Sequence, residues 1–164
     1  MSSLLFGCGT WKHGLYRRHT KKLEQFPMRS LQSTMHIRWQ DRTTNQELLD
    51  RARTSSIEAK ILQAQLRWSG HVIRMEESRI PRELLYSELS HDNRNQGRPK
   101  KRYKDNFKAN LKWAHLQPRE LETAAVDRYR WRTLTRKAVI AFEDSRRQRL
   151  AAARGRRHQA ASIR

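Results

Sequence analysis

Ser55-Ser56-Ile57-Glu58-Ala59-Lys60-Ile61-Leu62-Gln63-Ala64-Gln65-Leu66-Arg67-Trp68-Ser69-Gly70-His71-Val72-Ile73-Arg74-Met75 is the stretch that decides the fold. Ile57, Ile61, Leu62, Leu66, Val72 and Ile73 lay one broad apolar face along a helix. Ser55 and Glu58 have capping-box spacing, so a core helix is predicted from Ile57 to about Met75. Upstream, Thr44-Asn45-Gln46-Glu47 is a second such box, opening a short helix through about Arg51. Arg17 to Met35 carries Leu23, Phe26, Leu31 and Met35 at helical spacing, with Pro27 expected to break or kink it. Downstream, Pro81 marks a boundary, and Leu84-Leu85-Tyr86 reads as a strand or one helical turn. Ser90 to Pro99 is polar and turn-rich. Lys101 to Trp113 is amphipathic through Phe107, Leu111 and Trp113. Pro118 suits the first turn of a short helix, and Asp127 would cap a long one carrying Trp131, Leu134, Ala138 and Phe142. Beyond Glu143 arginine and alanine take over, so Arg146 to Arg164 is expected to be a solvated helical extension or a disordered basic tail.

These elements predict a mostly α fold: a small irregular helical domain with a basic helical or disordered C-terminal tail. The expected division is a poorly ordered N-terminal segment over 1–16, a helical region over 17–142 containing a basic loop at 90–104, and an Arg-rich tail over 143–164. Among 164 residues only 36% are hydrophobic, and the mean hydropathy of −1.01 leaves little material for a large core. The single cysteine, Cys8, excludes an intramolecular disulfide framework. The longest near-apolar stretch, Leu4 to Cys8, is far short of the roughly 20 residues of a membrane span, so neither a transmembrane helix nor a signal peptide is expected.

Charge is the dominant functional signal. The formal net charge is +20, with a pI near 11.3. Between Arg94 and Lys104 lie six basic residues and no acidic one; between Arg128 and Arg157, eleven basic residues face two acidic ones. The natural partner is a polyanion, since each neutralised phosphate releases counterions and contributes affinity independent of sequence. The candidate contacts are Arg98, Lys100, Lys101, Arg102 and Lys104, beside a proline-fixed turn, with Arg146, Arg147, Arg149, Arg154, Arg156 and Arg157 as a second patch. Gly97-Arg98-Pro99 has the form of a minor-groove arm; a solvated charged loop or a nuclear-localisation patch over Arg98 to Lys104 explains it as well.

Other chemistry finds little support. Cys8, His13 and His19 form a C-x4-H-x5-H string, short of the four ligands of a structural zinc site. His71 reads as a packed or surface histidine, and the five tryptophans read mainly as core residues, with base stacking as the other use. The acidic pairs Glu76-Glu77 and Glu143-Asp144 lie in charge-rich helical stretches unsuited to holding two metal ions. Neither a phosphate-binding glycine loop nor a nucleophile elbow is present. No catalytic residue, metal or other cofactor is therefore expected.

Four strings carry a resemblance: Ile37-Arg38-Trp39-Gln40-Asp41-Arg42-Thr43-Thr44-Asn45, Gln65 to Met75, Gly97-Arg98-Pro99-Lys100-Lys101-Arg102-Tyr103-Lys104-Asp105, and Asp127-Arg128-Tyr129-Arg130-Trp131-Arg132. In order and spacing they resemble the C-terminal region, thumb and beyond, of reverse transcriptases of non-LTR retrotransposons. The likeness runs from about Phe6-Gly7-Cys8-Gly9-Thr10-Trp11 to the arginine-rich end. It implies a truncated piece of such an enzyme, with the catalytic aspartate motif and endonuclease upstream of Met1. No Asp-Asp pair occurs here, so polymerase activity does not carry over; nor can one cysteine supply the family's downstream zinc segment. Gly9 stands where the family usually has an acidic residue. Ser30, Gln32 and Thr34 replace a cysteine, a basic residue and an apolar one, and the last is expected to weaken the first helix's core face. The resemblance implies a catalytically inactive remnant that binds RNA, DNA or an RNA/DNA hybrid through phosphate contacts. The alternatives are a domesticated helical module whose basic tail binds an acidic protein partner, or an open reading frame without function. The basic runs favour the nucleus over the cytoplasm.

Overall fold

The computed structural model describes residues 5–10, 17–86, 103–117 and 120–162. Among them are seven α-helices and no strand: α1 (Arg17–Thr34), α2 (Asn45–Arg51), α3 (Ile57–Ile73), α4 (Ile80–Tyr86), α5 (Tyr103–Trp113), α6 (Leu121–Val126) and α7 (Arg128–Ser162). Short 3₁₀ turns lie at Cys8–Thr10 and Trp39–Asp41. No described helix is long and apolar enough to cross a membrane. The fold is mostly α, as its sequence predicts.

α3 is the hub, packing against α1, α4, α5, α6, α7 and the first 3₁₀ turn. Its residues Leu62, Leu66, Val72 and Ile73 join Leu85, Phe107, Leu111, Leu121, Ala124, Ala125, Trp131 and Ala138 in the main core. Cys8, Ile57 and Ile61 form a second cluster, and Met28, Leu48 and Leu49 a third beneath α1 and α2. Each such aliphatic side chain contributes about 1.5–3 kcal/mol on burial. α7 comes close to α3 at Gly70, where an added Cβ would overlap the Trp131 indole. The indole Nε1 donates to the Leu66 carbonyl at 2.8 Å, so α7 is keyed to α3 by both shape and a hydrogen bond.

Several expectations need correction. Pro27 lies inside α1, which runs through it, and its ring is fully buried. That packing is set against the hydrogen bond the proline cannot make. Phe26, expected on the core face, is 58% exposed, and Met28 takes the inward position. Thr34 is exposed and bonds back to the Ser30 carbonyl, so its polarity does not touch the core. The α3 cap is Ser56, one residue later than expected, with its hydroxyl accepting from Ala59 N. Of the two readings of Leu84 to Tyr86 the helical one holds, and Pro81, expected at a boundary, sits in the first turn of α4. In the N-terminal segment Phe6 is 86% exposed, whereas Cys8 is buried, and an added Cβ at Gly9 would come within 2.9 Å of Trp68 Cβ. An acidic side chain at position 9 would not fit that approach. The boundary placed at 142/143 falls inside α7, which continues unbroken across it.

Candidate nucleic-acid interface

α7 carries more of the exposed basic residues than any other described helix. Asp127 opens it, its Oδ1 accepting from Tyr129 N and Arg130 N at 2.8 and 3.2 Å, as expected of a cap. The helix has 35 residues, hence a length of about 52 Å at 1.5 Å per residue. Trp131, Thr135 and Ala138 are buried along its first half, and Phe142 meets Trp113 edge to face, with ring centroids 5.2 Å apart.

Where the apolar face ends, ionic contacts replace it. Glu143 Oε1 accepts from Ser56 N at 2.6 Å, so a carboxylate 87 residues away completes the N-terminal cap of α3. Arg146 is 8% exposed. Its guanidinium donates to Glu24 at 2.5 Å and to Gln46 at 3.2 Å, and lies 3.4 Å from Glu58. Arg147 pairs with Asp50 at 2.7 Å. Burial raises the Glu24 pKa; Arg146 pulls it down, while Glu58 and Glu143 push it up.

This placement divides the expected phosphate contacts. Arg146 is a buried structural tie, with its donors committed to α1, α2 and α3, and is withdrawn from the interface. Arg147 is partly committed to Asp50. Arg149, Arg154, Arg156 and Arg157 are exposed and form no ion pair among the described residues. Arg149, Arg156 and Arg157 are among the lining of an open groove of about 920 Å³, together with Lys21, Glu24 and Glu58. Arg98, Lys100, Lys101 and Arg102 lie outside the described residues, as does the basic loop up to α5. Lys104 belongs to α5, but its side chain lies outside them too.

Of the tryptophans, Trp131 is core, Trp68 and Trp113 pack against the core, and Trp39 is 87% exposed. Cys8 is buried and its thiol pKa raised, chiefly by desolvation; His19 is exposed, and His13 lies outside the described residues. Among the described residues no three His, Cys, Asp or Glu groups are placed to hold a metal ion.

One basic surface escaped the sequence reading. Arg67 of α3 and Arg132 and Arg136 of α7 converge on a cleft of about 350 Å³, with Gln63 and Thr135 completing its lining. A signal lay in the dipeptides Arg67-Trp68 and Arg130-Trp131. With Trp68 and Trp131 turned toward the core, the neighbouring Arg67, Arg130 and Arg132 must turn outward, and Arg132 and Arg136 share a helix face. No protein-family model, curated protein or solved structure matches this chain. Its chemistry therefore rests on the residues themselves: an excess of fixed guanidinium donors, each offering a planar fork of N–H groups suited to phosphate.

Proposed function

We propose that the chain holds nucleic acid by its phosphate backbone, with little regard to base sequence, and performs no reaction itself. This is the role expected of a remnant from beyond the polymerase core of a non-LTR reverse transcriptase, where such a region would grip template RNA or an RNA/DNA hybrid. The observation that carries the reading is the second half of α7. It presents Arg149, Arg154, Arg156 and Arg157 on a continuous helix, and no acidic residue follows Asp144. Helical backbone and the tie through Arg146 limit the freedom these arginines lose on meeting a ligand, which favours affinity. The basic runs suit a nuclear location.

Fluorescence anisotropy with unrelated single-stranded RNAs and duplexes, read across a series of salt concentrations, tests the proposal. Similar affinities that fall steeply with salt are expected, the logarithmic slope for single strands being about 0.7 per phosphate held. Affinity that stays flat with salt would sink it.

A further inference from the structure

The cleft between α3 and α7 lies apart from the groove beside the end of α7. On α3, Gln63 and Arg67 point to the side opposite Glu58, Ile61, Leu62 and Gln65, which face that groove. Three guanidinium groups therefore border about 350 Å³ of space on a face of their own. Arg67, Arg132 and Arg136 are all exposed, and none forms an ion pair among the described residues. Unlike Arg146 and Arg147, they are not needed to hold the helices together.

The positive surface continues toward the end of α3. Arg74 donates to the Ala125 carbonyl at 2.8 Å. Its Nε is buried with no hydrogen-bond partner, a donor left unsatisfied. Desolvation, and after it Arg128 and Arg132, disfavour its charge. Like charges thus stand along this seam uncompensated, and Arg132 belongs to both the seam and the cleft.

We infer that Arg67, Arg132 and Arg136, with Gln63, form a binding site for a backbone phosphate of a nucleic-acid strand, the buried Thr135 hydroxyl being held by the Trp131 carbonyl. The inference rests on the nucleic-acid reading above and names a second place where the strand is held. The lining decides between ligand classes. Arginine and glutamine are side chains that meet phosphate and sugar oxygens, and none of the five lining residues offers the apolar anchor pocket on which a protein partner's binding energy concentrates. Arg132 and Arg136 stand one turn apart on a helix pinned by Trp131, so their places on the backbone are set before the ligand arrives.

The test uses the full chain labelled for arginine Nε–Hε NMR, titrated with single-stranded RNA, inorganic phosphate and poly-glutamate. RNA is expected to shift the resonances of Arg67, Arg132 and Arg136, and phosphate to shift the same three at higher concentration. The variant Arg67→Gln/Arg132→Gln/Arg136→Gln changes only exposed side chains and should keep its circular dichroism. It should lose roughly tenfold or more in RNA affinity at low salt and flatten the salt slope by about 0.7 per phosphate released. RNA that binds the variant as tightly as the unaltered chain, without shifting these three resonances, overturns the cleft while leaving the α7 reading intact. Poly-glutamate that shifts them more strongly than RNA overturns it in favour of an acidic protein. Failure of the unaltered chain to bind RNA brings down both readings.

Discussion

The two halves of α7 share one backbone and are held by different forces. From Arg128 to Arg147 the helix buries Trp131, Thr135, Ala138 and Arg146 against the rest of the molecule; from Gln148 onward its described side chains are exposed, except for half-buried Ala153. Most helical stability in proteins comes from packing an apolar face, and a bare stretch depends on intrinsic propensity. Ala151, Ala152 and Ala153 supply such propensity. The comparison teaches that the basic residues of one helix do two jobs: those in the first half that face inward are consumed by the fold, and those in the second half stay free for a ligand.

The sharpest break of that comparison is at Trp131. Replacing it with alanine removes the indole from its place against Gly70 and should cost about 3–5 kcal/mol, as for other large buried aromatics. Urea unfolding monitored by circular dichroism would measure it, and a loss below that of a surface substitution would mean that α7 is not keyed to α3 there.

Next in size is Arg146→Ala, which leaves Glu24 and Glu58 facing each other without their shared cation. Breaking a buried pair costs about 3–5 kcal/mol. Because the Glu58 side chain is 37% exposed, a smaller loss of about 2–3 kcal/mol is expected here, allowing for solvent screening. Arg154→Ala, on the exposed half, should fall within about 0.5 kcal/mol of the unaltered chain, as surface substitutions do. The same denaturation experiment decides, and equal effects from the two changes would erase the distinction between the halves.

A smaller effect is set by pH. Since burial and two neighbouring carboxylates raise the Glu24 pKa in the folded chain, the folded state holds this proton more tightly than the unfolded state. The group therefore costs stability above its folded pKa, and the cost disappears as pH falls toward the ordinary carboxyl value. Glu24→Gln should remove that part of the pH dependence. Thermal unfolding of both chains across the acid range would show it, and identical profiles would refute the assignment.

A small gain, where the other changes bring losses, is expected at Gly155. It is helical with open space where a Cβ would be, so alanine there should favour the extension by about 0.5–1 kcal/mol. Greater helical content with tighter RNA binding would support the reading that a continuous helix holds these arginines ready for phosphate; greater helicity with weaker binding would argue against it.

Much of this was legible because helix starts are written in local chemistry. Thr44 and Glu47 form the reciprocal cap expected of them, Asp127 opens α7, and the α3 periodicity marks the hub. Helix ends were harder. His36, Arg53 and His115 adopt the left-handed conformation after α1, α2 and α5, where glycine usually announces a stop. Each is followed by a residue whose N–H reaches back five positions: Ile37 to Gln32, Thr54 to Leu49 and Leu116 to Leu111. The closures are ordinary but the residue type is not, so the sequence carries no glycine signal at those places. The interface was illegible for another reason. Charge counts register that Arg146 and Arg67 are basic, yet only long-range packing decides that one is paired internally with Glu24 and the other faces an open cleft.

The tie through Arg146 also has a bearing on synthesis. Glu24 and its partner are 122 residues apart, and at a translation rate of about 5–20 residues per second that separation is roughly 6–24 s of chain growth. During that interval α1 and α3 are made without the guanidinium that joins their carboxylates, and Ser56 N lacks its Glu143 acceptor. The nascent chain thus reaches its closing contacts only once the middle of α7 has been made, and the residues that seal the fold directly precede the free arginines of its second half.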